Sequence, residues 1–327
     1  MNIEKPHISL LDITDKNFQK ISLKVFRYQA INNPVYKEFL EGIRCDITRV
    51  DTLEKIPFLP IVFYKTHAVI TENQAPQTVF LSSGTTGLNR SRHLVADTDL
   101  YKDSFRQGFK HFFGNIKDYT LLALLPSYLE QSDSSLVYMI SDLIKQTQNS
   151  DSGFYLNKDT IIIEKLKDLD SKGKKVILIG VTYALLDLIE KHPFTLQNTL
   201  VMETGGMKGR RREMIKSELH QVLKEGFGVQ KIYSEYGMTE LLSQAYSLGE
   251  TLFKTPPWMK ILIREVEDPL AILPNEKSGG INVIDLANTN SCSFIATQDL
   301  GKTYANGSFE VLGRFDHSDI RGCNLMI

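Results

Sequence analysis

Cysteine is scarce in this sequence: three in 327 residues, at Cys45, Cys292 and Cys323. No two lie in a CxxC spacing, which excludes the common cysteine metal and redox sites. So sparse and odd a set fits a reducing cytoplasm, the expected location, and not a disulfide framework. Net charge is scarce too, at −1, and basic residues cluster only at Arg210-Arg211-Arg212. No global field points toward nucleic acid or a membrane surface. Long apolar runs are missing: the most apolar segment, 176–189, is interrupted by polar residues and too short to cross a bilayer. The opening residues, Met1-Asn2-Ile3-Glu4-Lys5-Pro6, lack the basic and apolar blocks of a signal peptide. There is no internal repeat and no Pro/Gly/Ser-rich linker. What is there is ordinary: 42% hydrophobic and 24% charged residues, over a length that buries a core without disulfides.

Pattern along the chain predicts an α/β fold. Residues 15–44 read as helices broken at Asn32-Asn33-Pro34, and 56–70 as an irregular segment followed by a short strand. An apolar run at 78–81 reads as a strand, and Asp97-Thr98-Asp99 caps a helix running to about Phe113. Strands at 119–125, 175–179, 199–203 and 231–234 alternate with helices near 135–143, 160–170, 183–192 and 209–224. That alternation argues parallel strands flanked by helices. From about 259 short strands and turns replace the helices, which predicts a smaller β-rich subdomain. The expected divisions are an α/β core over 1–258, the β-rich subdomain over 259–312, and a hinge-like tail over 313–327 that carries Cys323.

Four stretches carry candidate chemistry. Ser82-Ser83-Gly84-Thr85-Thr86-Gly87 follows the strand at 78–81. Glycines allow close backbone approach, and amide N–H groups with hydroxyls can cradle phosphate oxygens. A plain surface turn uses the same residues. Tyr236-Gly237-Met238-Thr239-Glu240 offers a sharp turn, a hydroxyl for phosphate and a carboxylate for Mg²⁺, or else only a capped helix start. Thr297-Gln298-Asp299-Leu300-Gly301 places a carboxylate in a turn, where it could hold a ribose diol. Gly313-Arg314-Phe315-Asp316 is the fourth. The step after Gly87 is Leu88-Asn89-Arg90-Ser91, which is not the Lys-Ser/Thr continuation of P-loop NTPases. His93 reads as a packing or hydrogen-bonding residue, and Arg210-Arg211-Arg212 as a solvated face.

These stretches, with Gly205-Gly206, occur in the order and approximate spacing of the adenylate-forming superfamily, which the chain resembles over roughly residues 55–322. The resemblance implies the N-terminal-domain fold of those enzymes and the use of ATP and Mg²⁺. It implies that Ser82, Ser83, Gly84, Thr85, Thr86 and Gly87 embrace the β,γ-phosphates. Gly205 and Gly206 would flank adenine, with Tyr236 and Gly237 at the adenine and acyl-pocket wall. Thr239 would contact the α-phosphate, Glu240 would bind Mg²⁺, Asp299 would hold the ribose hydroxyls with Arg314 beside it, and Asp316 would form a hinge. Arg90 stands where that family carries Lys and is expected to face the nucleotide phosphates, and Gln298 stands where the family carries Gly. The chain stops at Ile327, so the family's mobile C-terminal domain is expected to be absent.

Within the superfamily the chain is similar to LuxE-type acyl-protein synthetases. The similarity rests on the short chain, on Pro126-Ser127-Tyr128-Leu129-Glu130, and on Cys323 near the end. It implies activation of a carboxylic, fatty acid to acyl-AMP, then transfer to Cys323 and on to an acyl-accepting protein such as a reductase or carrier. Tyr128, Tyr236 and Met238 are the expected substrate-pocket residues. Arg321, two residues from Cys323, would favour its thiolate. Two alternatives stay open: an acyl-CoA or aryl-CoA ligase, and a non-catalytic acyl- or nucleotide-binding partner.

Overall fold

Thr120–Leu124 and Val176–Val181 are buried at every position. A strand covered on both faces has no solvent side, so it carries an apolar run instead of an alternation. In a computed structural model describing residues 4–83, 90–126, 130–205 and 214–315, these two strands pair in parallel, Leu122 opposite Leu178. Thr199–Thr204 adds to Val176–Val181, and Ile232–Tyr236 adds to Thr199–Thr204, both in parallel. Gly153–Phe154 lies parallel on the far side of Thr120–Leu124. Ala245–Ser247 and then Phe253–Lys254 continue beyond Ile232–Tyr236 as antiparallel strands.

The chain divides into two compact units. The parallel strands belong to the unit built from the described residues of 77–93 and 97–256. Its helices are Thr98–Phe113, Ser135–Thr147, Asp159–Ser171, Thr182–Lys191 and Lys216–Phe227. Local chemistry sets their ends. The Asp97 carboxylate accepts from the amides of Asp99 and Leu100, and Ser134 Oγ from that of Val137. Gly228 closes Lys216–Phe227 at φ +65°, where a Cβ would meet the Phe194 carbonyl oxygen at 2.7 Å.

The second unit takes the described residues of 1–76, 94–96 and 257–327. Its sheet is antiparallel in the order Ile272–Leu273, Met259–Arg264, Ser278–Asp285, Phe294–Thr303, Phe309–Arg314. Leu59–Pro60 pairs in parallel with Phe294–Thr303. Helices Phe18–Asn32 and Pro34–Gly42 pack on this sheet through Phe26 and Tyr36, whose rings lie 6.1 and 6.2 Å from that of Phe294. Gln29 Nε2 donates to the carbonyls of Asn288 and Thr289, and its Oε1 accepts from the Ser293 amide.

The α/β expectation, parallel strands with flanking helices plus a β-rich part, matches this architecture. The sequence pattern keeps 1–258 together; in the structure residues 4–76 pack instead with strands beyond 257. Three local expectations are corrected. The short strand expected after the irregular segment is a helix, Phe63–Thr66, and pairing is confined to Leu59–Pro60 before it. Thr297–Gly301 is not a turn: it lies inside the ten-residue strand Phe294–Thr303, because both neighbouring strands pair through it. The helix expected over 209–224 runs instead from Lys216 to Phe227, with Glu218 in its first turn as the macrodipole favours. Arg210-Arg211-Arg212 lies outside the described residues.

Candidate active site

Phe80 anchors the strand Thr78–Leu81 that leads to the candidate phosphate loop. It is fully buried, with the rings of Tyr101 and Tyr138 edge-on at 5.6 and 5.4 Å. Ser82 then makes a neck. Its amide donates to the Ser91 carbonyl at 3.0 Å, and its Oγ accepts from the Ser91 amide at 2.9 Å. Ser83 follows and is exposed. Gly84, Thr85, Thr86 and Gly87 lie outside the described residues, as do Tyr128, Gly206, Asp316 and Cys323. Arg90, expected to face the phosphates, here reinforces the neck. Its Nη1 is 2.9 Å from Asp133 Oδ2, and its Nε donates to the Ser82 carbonyl at 2.5 Å. The Leu81 amide in turn donates to the Asp133 carbonyl at 2.8 Å.

Beyond the neck the chain enters the strand Arg92–Val95, where His93 is fully buried. Its Nδ1 lies 2.7 Å from the carbonyl oxygen of Thr239. A carbonyl only accepts, so Nδ1 carries the proton. Thr239 and Glu240 sit in a turn closed by the Leu241 amide on the Met238 carbonyl at 3.2 Å, and not at the start of a helix. Glu240 is 5% exposed. Tyr236 ends the strand Ile232–Tyr236 with its ring 5.8 Å from Phe253, and Met238 is half-buried. A Cβ at Gly237 would come within 2.4 Å of Glu235 Oε1, so a side chain there would have to displace that carboxylate. Gly205 holds φ +70°, a backbone that side chains disfavour, and its carbonyl accepts from Thr182 Oγ1 at 3.1 Å. Gly205 and the turn after Tyr236 lie at the carboxyl ends of parallel strands, where open α/β sheets bind ligands.

Sequence reasoning missed two buried carboxylates at the same strand ends. Glu203 is 1% exposed and takes Lys216 Nζ at 2.6 Å, with His220 Nε2 3.6 Å away. Burial by itself pushes Glu203 up; the Lys216 charge and hydrogen bonds from His220, Lys216 and Ser234 outweigh it and hold the carboxyl below its ordinary value. Glu235, one position before Tyr236, accepts from Thr204 Oγ1 at 2.5 Å. Burial, with the Glu203 charge adding to it, raises its carboxyl from 4.5 to about 7, against the Thr204 hydrogen bond. Both residues stand one position before the ends of their strands, a visible sign in the sequence, but spacing does not reveal that Lys216 belongs to one of them.

In the other unit Asp299 and Arg314 stand opposite each other on adjacent strands. Arg314 Nε lies 3.2 Å from Asp299 Oδ1, with Asp299 buried and Arg314 exposed. A register shift between Leu300 and Gly301 follows at once, the kind of bulge that re-aims a side chain. Thr297 Oγ1 accepts from the Asp299 amide at 3.1 Å, and the Gln298 carbonyl takes the Phe315 amide at 2.8 Å.

Among the described residues no three His, Cys, Asp or Glu side chains gather to hold a metal by themselves. One buried carboxylate, Glu240, beside a hydroxyl, Thr239, fits Mg²⁺, which keeps waters and takes phosphate oxygens as its other ligands. Neither described cysteine suits a nucleophile. Cys292 is buried, which pushes its thiol up to about 12, and Cys45 is raised by burial and then by Asp46.

This fold is the N-terminal-domain fold of adenylate-forming enzymes. MatB from Rhodopseudomonas palustris, solved with ATP, superposes with a TM-score of 0.54 at 18% identity, over 72% of this chain and 47% of MatB. O-succinylbenzoate coenzyme A synthetase from Bacillus subtilis, solved with ATP and magnesium, gives 0.51 at 18% identity, over 74% and 50%. A 2-hydroxyisobutyryl-CoA ligase solved with 2-HIB-AMP gives 0.65 at 13% identity, over 96% and 73%. The chain spans about half the length of the first two. No curated protein sequence matches it. The chain belongs to the LuxE family of acyl-protein synthetases, whose sequence profile matches residues 6–327.

Proposed function

We propose that this protein uses ATP and Mg²⁺ to activate a carboxylic acid, a fatty one, as its acyl-AMP, and then passes the acyl group to Cys323. A substrate carboxylate oxygen attacks the α-phosphorus and pyrophosphate leaves. The Cys323 thiolate then attacks the acyl carbonyl, AMP leaves, and the thioester hands the acyl group to a partner thiol. The supporting observation is the placement of the Thr239–Glu240 turn against His93, directly beyond the neck of the phosphate loop. In this reading residues 82–87 hold the β,γ-phosphates, Gly205, Gly206 and Tyr236 take the adenine, and Asp299 takes the ribose hydroxyls. Thr239 meets the α-phosphate. Bound Mg²⁺, held by Glu240 and phosphate oxygens, supplies charge neutralisation at the phosphates. Tyr128, Tyr236 and Met238 face the acyl chain. Arg90 serves the loop by holding its neck. Cys323 takes the nucleophile's part because its position matches that of the acyl-accepting cysteine the family resemblance implies.

The test is pyrophosphate release across a panel of acids, followed by intact mass. The wild type is expected to gain one acyl adduct with its preferred acid, and Cys323→Ser to make acyl-AMP without the thioester. A normal adduct on Cys323→Ser removes that residue from the reaction. Rapid CoA thioester formation by Cys323→Ala assigns a CoA ligase instead. ATP binding without pyrophosphate exchange for any acid leaves a binding protein.

A further inference from the structure

We propose that His93 is a positioning residue that locks the Thr239–Glu240 turn to the neck of the phosphate loop. The inference rests on the adenylation reading and adds a residue to it. Two cross-links fix the neck: the reciprocal Ser82–Ser91 hydrogen bonds, and Arg90 on Asp133 and the Ser82 carbonyl. His93 comes two residues after Ser91, fully buried on the strand Arg92–Val95. It cannot shift without disturbing that neck.

From there its Nδ1–H reaches the Thr239 carbonyl at 2.7 Å, a residue 146 positions later. That carbonyl belongs to the peptide unit joining Thr239 to Glu240. Holding its oxygen fixes the plane of the peptide, and so the directions in which the Thr239 hydroxyl and the Glu240 carboxylate leave the backbone. Within the turn the Leu241 amide donates to the Met238 carbonyl at 3.2 Å, which closes the loop around this peptide. One imidazole therefore ties the loop assigned to the β,γ-phosphates to the pair assigned to the α-phosphate and Mg²⁺. Adenylation breaks the bond between the α- and β-phosphates, so the spacing of those two groups is what positioning must hold.

The geometry dictates the variants. Asparagine carries an amide N–H close to where Nδ1–H sits, whereas glutamine's lies nearer the Nε2 position, and leucine fills space without a donor. Two readouts are needed on the full chain: ATP–pyrophosphate exchange with saturating acid, and hydrogen–deuterium exchange of the peptide covering 238–242 without nucleotide. His93→Leu and His93→Gln are expected to lower kcat about 10–100-fold with the KM for the acid unchanged, and to speed exchange in that peptide. His93→Asn should restore most of both. Circular dichroism and thermal melting verify that each variant is folded, and the Asn variant keeps the question open to test if the Leu variant is not. An active wild type with Asn, Gln and Leu variants equally impaired, or with peptide exchange unmoved in all three, overturns the role of His93 alone. A wild type inactive with every acid overturns the adenylation reading and this role with it.

Discussion

At the scale of single residues, the buried carboxylate pair is the most consequential feature beyond the motifs. Glu235 binds its proton more tightly in the folded state than in the unfolded chain, with a folded value of about 7 against an ordinary 4.5. The native state thus holds a proton that the unfolded chain has released across that window. Stability conferred by the neutral form is present below pH 4.5 and is lost as pH rises to about 7, after which the curve is flat. Compared with Glu235→Gln, wild-type unfolding free energy should fall by up to about 3 kcal/mol across the window, read from urea titrations at pH 5 and 8. Equal pH slopes for the two proteins contradict it. Glu203 behaves the opposite way, since Lys216 keeps it charged. Lys216→Met should cost about 3–5 kcal/mol by stranding a buried carboxylate, and the added change Glu203→Gln should recover much of that in thermal melts. The stretch from Tyr236 to Glu240 stood out only together with the other motifs, through the resemblance to adenylate-forming enzymes, since on its own it also reads as a helix start. His93 was legible as a packing or hydrogen-bonding residue, but its partner and that of Lys216 were not, because a side chain's partner is fixed by strand register and helix placement.

Among the elements, the apolar strands and the capped helices were the most legible parts. Asp97 and Ser134 announce their helices because an oxygen just before an apolar-periodic run satisfies orphan amides. Asp97→Ala should lower stability by about 1 kcal/mol, seen as a shifted urea midpoint with an unchanged slope. The strand Phe294–Thr303 was legible only over its start, up to Thr297, and its continuation was hidden. Its Thr-Gln-Asp-Leu-Gly segment has the composition of a turn, and only pairing on both sides keeps it extended through Asp299. The corrected setting changes what Asp299 can be. A carboxylate in a sheet, held opposite Arg314 and followed by a bulge, is aimed by the backbone and not by a mobile turn.

The whole molecule departs most from the linear pattern in where the chain crosses between its units. Amphipathic helices at 18–42 declare an apolar face but not the surface that covers it. Here that surface includes Phe294 and the backbone of residues 288–293, reached by Gln29 across 259 positions of sequence to Asn288. Replacing Gln29 with Leu removes the donors and acceptor that satisfy this buried backbone. A loss of about 2–3 kcal/mol is expected in denaturant unfolding, and a change under 0.5 kcal/mol, typical of surface sites, rules the clamp out.

The same long-range packing has a consequence in time during synthesis. Helices Phe18–Asn32 and Pro34–Gly42 leave the ribosome well before their partners around Phe294 exist. At roughly 5–20 residues per second, the delay is on the order of tens of seconds. Residues 77–256 can settle their parallel strands in that interval. The faces of Phe26 and Tyr36 meanwhile wait uncovered, so a part of the chain made early is among the last to be buried.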